Sequence, residues 1–219
     1  MKISKFKQET GLFKLGYYVF EPENQTAEKL PLIVFLHGAG ERGNGDEELE
    51  FVKRNAIPKY ISEGKEYPAI VLAPQCPSNT VWNNIVFELK DLIDKVVSQY
   101  NIDAARISIT GISMGGFGSW EMGILFPDFF SAIGPVCGGG MSWRCGELKN
   151  IPVWALHGDA DSVVPVRNSI EMVDAVNNNG GNARLTLFHG VEHCSWDEAY
   201  LNTNLVEWLT IQMKKHYKN

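Results

Sequence analysis

Apolar residues in this chain recur in two patterns that alternate along its length. The first is a short apolar run, continuous at residues 32–36, 69–73 and 153–156 and interrupted by polar residues at 107–109, 131–136 and 184–188. Runs without polar alternation suit strands buried on both faces. The second pattern has helical spacing. In residues 84–99, Ile85, Leu89, Leu92, Ile93 and Val96 fall on one face. Further helices are predicted over 47–60, over 114–126 up to Pro127, over 166–178 after Pro165, and over 196–215. Ser195 followed by Glu198 reads as a capping box for the last helix. Residues 3–9 and 13–21 read as two edge strands around Gly11, and 177–181 as an exposed turn. Strands alternating with helices predict an α/β fold, a mostly parallel sheet covered on both faces. In such sheets ligands sit at the carboxyl ends of the strands.

Length fits this picture as one domain over residues 1–219. Hydrophobic residues make up 44% and charged residues 21%, so the chain is globular. A net charge of −6, with no stripe of Lys and Arg, argues against a nucleic-acid partner. The basic cluster from Lys214 to Lys218 suits the negative end of the last helix. No run approaches a membrane span, and the basic start is followed by no apolar segment, so neither insertion nor export is expected. Cys76, Cys137, Cys145 and Cys194 are sparse and irregular, as in a reduced cytoplasmic protein.

The chemistry centres on Gly111-Ile112-Ser113-Met114-Gly115, a G-x-S-x-G motif between a strand-like run and a helix start. With 21 glycines in 219 residues, roughly a tenth of a match arises by chance, so context decides. A strained strand–turn–helix would lift the Ser113 hydroxyl from the sheet and aim helix N–H groups at developing negative charge. A serine needs a base, and the base needs a carboxylate. On this kind of turn the partners follow in the order serine, acid, histidine. That order excludes His37 and His157, each in a Leu-His-Gly strand end. His216 sits in the basic tail and His189 ends a strand, which leaves His193 in the loop before the last helix. His189 and His193 have the spacing of a helical metal pair, but Gly190 breaks the helix, so no metal is expected. Asp159 and Asp161 both lie in the loop after the fifth apolar run, and Asp197 starts a helix. Two oxyanion donors are expected, the N–H of Met114 and that of Ala39 in His37-Gly38-Ala39-Gly40. Glu41 and Arg42 follow as a solvated pair, a brace for that loop, or a substrate contact. Trp82, Trp143 and Trp196 lie in or beside loops at the strand ends, as candidate substrate-binding residues; at least one of the three is expected in the core.

Taken together these residues resemble the serine esterases of the α/β-hydrolase superfamily. The resemblance is nearest to the branch of dienelactone-hydrolase-like, phospholipase/carboxylesterase, polyhydroxybutyrate-depolymerase-like and feruloyl esterases. It rests on residues 36–43, Ala73-Pro74-Gln75-Cys76-Pro77 with Trp82, the serine motif, His157-Gly158-Asp159-Ala160-Asp161 with Val164-Pro165, and His193-Cys194-Ser195-Trp196. The resemblance implies Ser113 as nucleophile, His193 as base and Asp161 as the acid. Dienelactone hydrolases carry cysteine where this chain has Ser113, so that activity is not implied. Segment 138–150 is too short for a large lid. The expected function is hydrolysis of short-chain or aromatic acyl esters through an acyl-enzyme, without a cofactor. A thioesterase or lysophospholipase with the same three residues, and a silent binding protein of the same fold, are the alternatives.

Overall fold

The structure, a computed structural model, describes residues 1–10, 13–23 and 28–214. Its eight strands form one sheet: β1 (Lys2–Thr10), β2 (Phe13–Glu21), β3 (Leu30–Leu36), β4 (Ile70–Pro74), β5 (Ile102–Ile112), β6 (Ala132–Val136), β7 (Val153–Gly158) and β8 (Ala183–Phe188). The order is β1-β2-β4-β3-β5-β6-β7-β8. β1 and β2 are antiparallel to each other and β2 to β4; all other pairs are parallel. The helices are α1 (Ala56–Ser62), α2 (Val86–Gln99), α3 (Met114–Leu125), α4 (Arg167–Asn178), α5 (Trp196–Leu201) and α6 (Leu205–Ile211). None is long and apolar enough to cross a membrane, among the described residues.

The runs in β3, β4 and β7 are apolar because these strands feed two cores, whereas β8, at the edge of the sheet, is only half-buried and leaves Leu187 exposed. Leu32, Val34 and Leu36 of β3 pack with α2, α3 and α4, whereas Ile33 and Phe35 face α1, α5 and α6. In α2 the predicted face, Leu89, Leu92, Ile93 and Val96, is the buried one.

Four expectations need correction. β2 is not an edge strand; β4 takes its second edge, which buries residues 15–21. The helix expected over 47–60 is a 3-10 segment, Glu47–Arg54, followed by α1. Asn55 is extended and Ala56 has φ 52°, which breaks the path. The last helix is two. Thr203 Oγ1 donates to the Ala199 carbonyl and accepts from the Leu205 N–H, competing with the helical ladder between α5 and α6. Ser195 makes no cap bond at the start of α5, and Glu198 instead accepts from Asn202. Lys214 lies beyond the end of α6; Lys215, His216, Lys218 and the Gly11 turn lie outside the described residues.

Packing of α3 against the sheet positions the serine turn. A Cβ on Gly115 would lie 1.9 Å from the Leu36 carbonyl oxygen, and one on Gly111 would lie 2.5 Å from the Gly115 oxygen. Only glycine allows helix and strand backbones this close. Between them Ser113 holds φ 51° and ψ −116°, with its N–H donating to the Val136 carbonyl at 3.0 Å. A non-glycine residue at positive φ costs on the order of 1–3 kcal/mol, so the surroundings must over-determine it.

β3 ends in a second fixed point, His37. Its Nε2 accepts the Cys76 N–H at 2.9 Å, which leaves Nδ1 to donate to the Gly38 carbonyl at 2.6 Å. Burial is the main cause that holds this imidazole down to about 4, partly countered by the bond to Gly38.

Two outcomes follow from this geometry. Gly115→Ala should destabilise the protein by at least about 3 kcal/mol, since backbone rather than a side chain must move. Gly40→Ala, with nothing within 4 Å of the new methyl, should melt like the parent. Thermal denaturation of the two variants side by side is the check. For His37, the folded state disfavours the proton that the unfolded chain takes up near pH 6.5. Stability is therefore fully present above about 6.5 and falls as pH drops toward 4, by up to about 3 kcal/mol. Urea unfolding at pH 7.5 and 4.5 should show this loss, and His37→Gln should flatten it.

Candidate active site

Three loops at the carboxyl ends of β5, β7 and β8 bring together the residues singled out by the serine motif. Ser113 follows β5 directly and stands half-buried at the start of α3. Asp161 lies just beyond β7. Its Oδ1 accepts the N–H groups of Val163 at 2.9 Å and Val164 at 2.8 Å, so the loop folds around the carboxylate. His193 comes from the loop after β8. That loop lies across Gly158, where a Cβ would sit 2.1 Å from the Val191 carbonyl oxygen. Bonds from Asp159 N–H to the Phe188 oxygen and from Ala160 N–H to the Val191 oxygen hold the two loops together.

The side chains meet in line. His193 Nδ1 is 2.7 Å from Asp161 Oδ2, and His193 Nε2 is 2.9 Å from Ser113 Oγ. A carboxylate can only accept, so Nδ1 carries the proton and Nε2 presents a lone pair to the serine hydroxyl. Burial pushes the Asp161 carboxyl up, but the His193 bond and the Val164 and Val163 amides outweigh it and hold it below its ordinary value. The carboxylate is thus ionised where it meets the imidazole.

Asp159 does something else. It is exposed, accepts from His189 at 2.9 Å and from the Gly190 N–H at 2.7 Å, and so closes the turn after β8. His189 is drawn to this carboxylate and not to the serine. Asp197 accepts from the Tyr60 hydroxyl, which ties α5 to α1. Cys137 lies beneath the turn, with its sulfur 3.3 Å from the Ser113 nitrogen. Burial pushes that thiol up to about 12, so it stays neutral. All four cysteines are free.

The expected oxyanion donors sit on two elements. Ala39 opens the 3-10 turn Ala39–Glu41 and Met114 opens α3. A first-turn N–H has no partner within its own helix. Arg42 braces the Ala39 turn, with Nε donating to the Ala39 oxygen at 3.0 Å and Nη1 to the Thr80 oxygen at 3.2 Å. Glu41 is buried and accepts from Asn55 instead of pairing with Arg42.

The tryptophans divide. Trp82 is fully buried, and its indole donates to the His37 carbonyl at 3.0 Å, so it anchors the loop from the core side and is not available to a ligand. Trp196 stands edge-on to His193, 6.0 Å between ring centres. Trp143 is 80% exposed on the turn Ser142–Leu148, which Arg144 ties to Glu121 at 2.7 Å.

A cleft of about 360 Å³ opens beside the serine, lined by Val81, Asn83, Ser113, Met114 and Phe117. Val81, Asn83 and Phe117 escaped the sequence reading. Their signal is position: the first two flank Trp82, and Phe117 lies one helical turn beyond Met114. A larger cleft of about 440 Å³ lies between residues 65–68 and 200–207, and none of these catalytic-type side chains lines it. His157 also escaped, having been set aside by chain order; it contacts Asp161 Oδ2 at 3.1 Å. Among the described residues no three His, Cys, Asp or Glu side chains gather as a metal site would need.

Known proteins share this architecture. A solved thermostable esterase superimposes with a TM-score of 0.82 at 34% identity, covering 97% of this chain and 63% of that one. A ferulic acid esterase of 18% identity has the same fold, at a TM-score of 0.70 with 95% and 98% covered. A probable feruloyl esterase C of Aspergillus terreus is 31% identical over 172 residues, 75% of this chain and 62% of the relative. A bifunctional acetylxylan esterase/xylanase of Neocallimastix patriciarum is 23% identical over 173 residues, 74% of this chain and 23% of the relative. The chain thus spans from about a quarter to three-fifths of the length of these curated relatives. The phospholipase/carboxylesterase family matches residues 19–203, a span that runs from β2 through the serine turn to the loop bearing His193 and on past α5. On that match the chain, with its α/β-hydrolase fold, belongs to the phospholipase/carboxylesterase family.

Proposed function

We propose that the chain hydrolyses carboxylic esters through an acyl-enzyme. The continuous hydrogen-bond line from Ser113 through His193 to Asp161 carries this reading. His193 Nε2 takes the hydroxyl proton as Ser113 Oγ attacks the ester carbonyl. The Met114 and Ala39 N–H groups receive the oxyanion. His193 then returns the proton to the leaving alcohol, whose C–O bond breaks. Water attacks the acyl-enzyme with His193 again as base, and Ser113 regains its proton. Asp161 fixes the Nδ1–H tautomer and stabilises the imidazolium. No cofactor enters.

Short or aromatic acyl groups fit best. The cleft beside Ser113 is small and bounded by Val81, Met114 and Phe117, with Asn83 as its polar wall. Trp143 and Trp196 offer flat faces near the strand ends. Relatives named as feruloyl and acetylxylan esterases support the same range. The four free thiols support a cytoplasmic, reducing location.

Ser113→Ala should fold normally and lose on the order of 10⁴ or more in kcat. A fluorophosphonate should label the parent at Ser113 alone. Asp161→Asn should lose roughly 10⁴-fold in kcat/KM, whereas Asp159→Asn should change mainly the melting temperature. Activity surviving in Ser113→Ala would reject the mechanism.

With p-nitrophenyl esters from acetate to palmitate, kcat/KM should stop rising after a few carbons, because each methylene beyond the cleft wall forfeits about 0.8 kcal/mol of burial. Phe117→Ala should move the optimum to longer chains. A constant that climbs to twelve carbons in the parent would instead favour a lysophospholipase or thioesterase.

A further inference from the structure

His157 ends β7, four residues before Asp161, and its ring is wholly buried. Nε2 lies 2.9 Å from the Val164 carbonyl oxygen and 3.1 Å from Asp161 Oδ2. Both are acceptors, so Nε2 carries a proton and shares it between them. On the opposite side Nδ1 lies 2.8 Å from Ser169 Oγ of α4, which is itself 3.0 Å from the Gly138 oxygen. Gly138 is pressed against the serine helix; a Cβ there would be 2.6 Å from the Gly116 carbonyl carbon. The ring is therefore fixed at both nitrogens by elements that also fix the serine turn.

The oxygen His157 meets is the one that accepts the hydrogen bond from His193 Nδ1. Oδ2 accepts from two imidazoles, while Oδ1 accepts from two backbone amides. Four donors saturate the carboxylate, and its side chain has no exposed surface. Rotation about the Asp161 side chain would break two bonds on each oxygen at once. The second donor on Oδ2 also draws part of its charge, so the oxygen is a weaker base toward the His193 proton.

We infer that His157 is a positioning residue for the esterase reaction: it clamps Asp161 Oδ2 so that His193 keeps its reactive orientation, and it holds the Nδ1 proton on His193 when the imidazolium forms. This rests on the Ser113–His193–Asp161 reading. Chain order excluded His157 from the triad, and the structure gives it a place behind the acid instead.

The test compares His157→Leu, which removes the donor, with His157→Gln, whose amide nitrogen reaches the Nε2 position. For p-nitrophenyl acetate, His157→Leu should lower kcat by about tenfold or more with KM nearly unchanged, the effect of one hydrogen bond to a charged group. His157→Gln should restore most of the loss. In proton NMR the downfield His193 Nδ1–H signal should move further downfield in His157→Leu, as Oδ2 regains charge, and return in His157→Gln. Parental kcat in a folded His157→Leu, or equal loss in both variants, would overturn the inference. If His157→Leu does not fold, Ser169→Ala keeps the ring and frees its far side; it should lower kcat several-fold and shift the same signal, and no change in either would also overturn the inference. Asp161→Asn, run in parallel, separates the two levels. An active Asp161→Asn sinks the triad itself, whereas an inactive one beside unaffected His157 variants sinks only the role given to His157.

Discussion

Close approach between α3 and β3 is the constraint on which the site depends. The Leu36 carbonyl occupies space that any side chain at Gly115 would need, and the Gly115 oxygen does the same to Gly111. The serine between them has no room to relax into ordinary backbone angles. Its N–H is held by Val136 at the end of β6, so three adjacent strands, β3, β5 and β6, share in fixing one residue. The same contact sets the spacing between Met114 at the helix start and Ala39 just past β3. Strain of on the order of 1–3 kcal/mol at Ser113 is small against the apolar surface buried on both faces of the sheet, which is why a marginally stable chain tolerates it.

Electrostatics then act on this fixed frame. Burying an ionised carboxylate is unfavourable unless donors replace its water. Asp161 has four, two of them backbone amides from its own loop and two of them histidines. Asp159, two residues earlier, stays exposed and closes a turn. The contrast between His37 and His157 makes the same point. Both stand in Leu-His-Gly at the carboxyl end of a parallel strand. At Nε2, His37 meets a backbone N–H and accepts, whereas His157 meets a carbonyl and a carboxylate and donates. Neighbouring chain, not the tripeptide, decides the role.

Much of the fold was legible because it is written in continuous apolar runs and in glycines whose absence of a side chain is essential. Strands β3, β4, β6, β7 and β8 fall within a few residues of their apolar runs, and Ser113 and His193, expected from chain order, meet Asp161, which the family resemblance implied over Asp159. What was not legible depended on competition or on distant partners. The breaks at Asn55 and at 202–204 come from local polar bonds and a positive φ that apolar spacing does not record. The interior place of β2 depends on β4, some fifty residues away in the chain. The sequence places Trp82 in or beside a loop as a candidate for substrate binding, yet its side chain turns into the core to hold the His37 carbonyl. Its neighbours Val81 and Asn83 then line the cleft that Trp82 itself does not reach.

Two sets of residues meet at Ser113, and they are constrained very differently. Ser113, His193 and Asp161 are held by backbone contacts below van der Waals distance for any Cβ, by a saturated carboxylate and by anchors in the core. The cleft wall is made by a few side chains, Val81, Asn83 and Phe117, on a loop and on the outer face of one helical turn. Changing the first set disturbs packing on both faces of the sheet. Changing the second alters volume and one polar contact at a solvent-facing edge, where substitutions are usually mild. On the proposed esterase reading, selectivity for the acyl group can therefore shift without loosening the residues around Ser113. The order of constraint runs outward from the Leu36–Gly115 contact, through the carboxylate and its two histidines, to an edge that is free to vary.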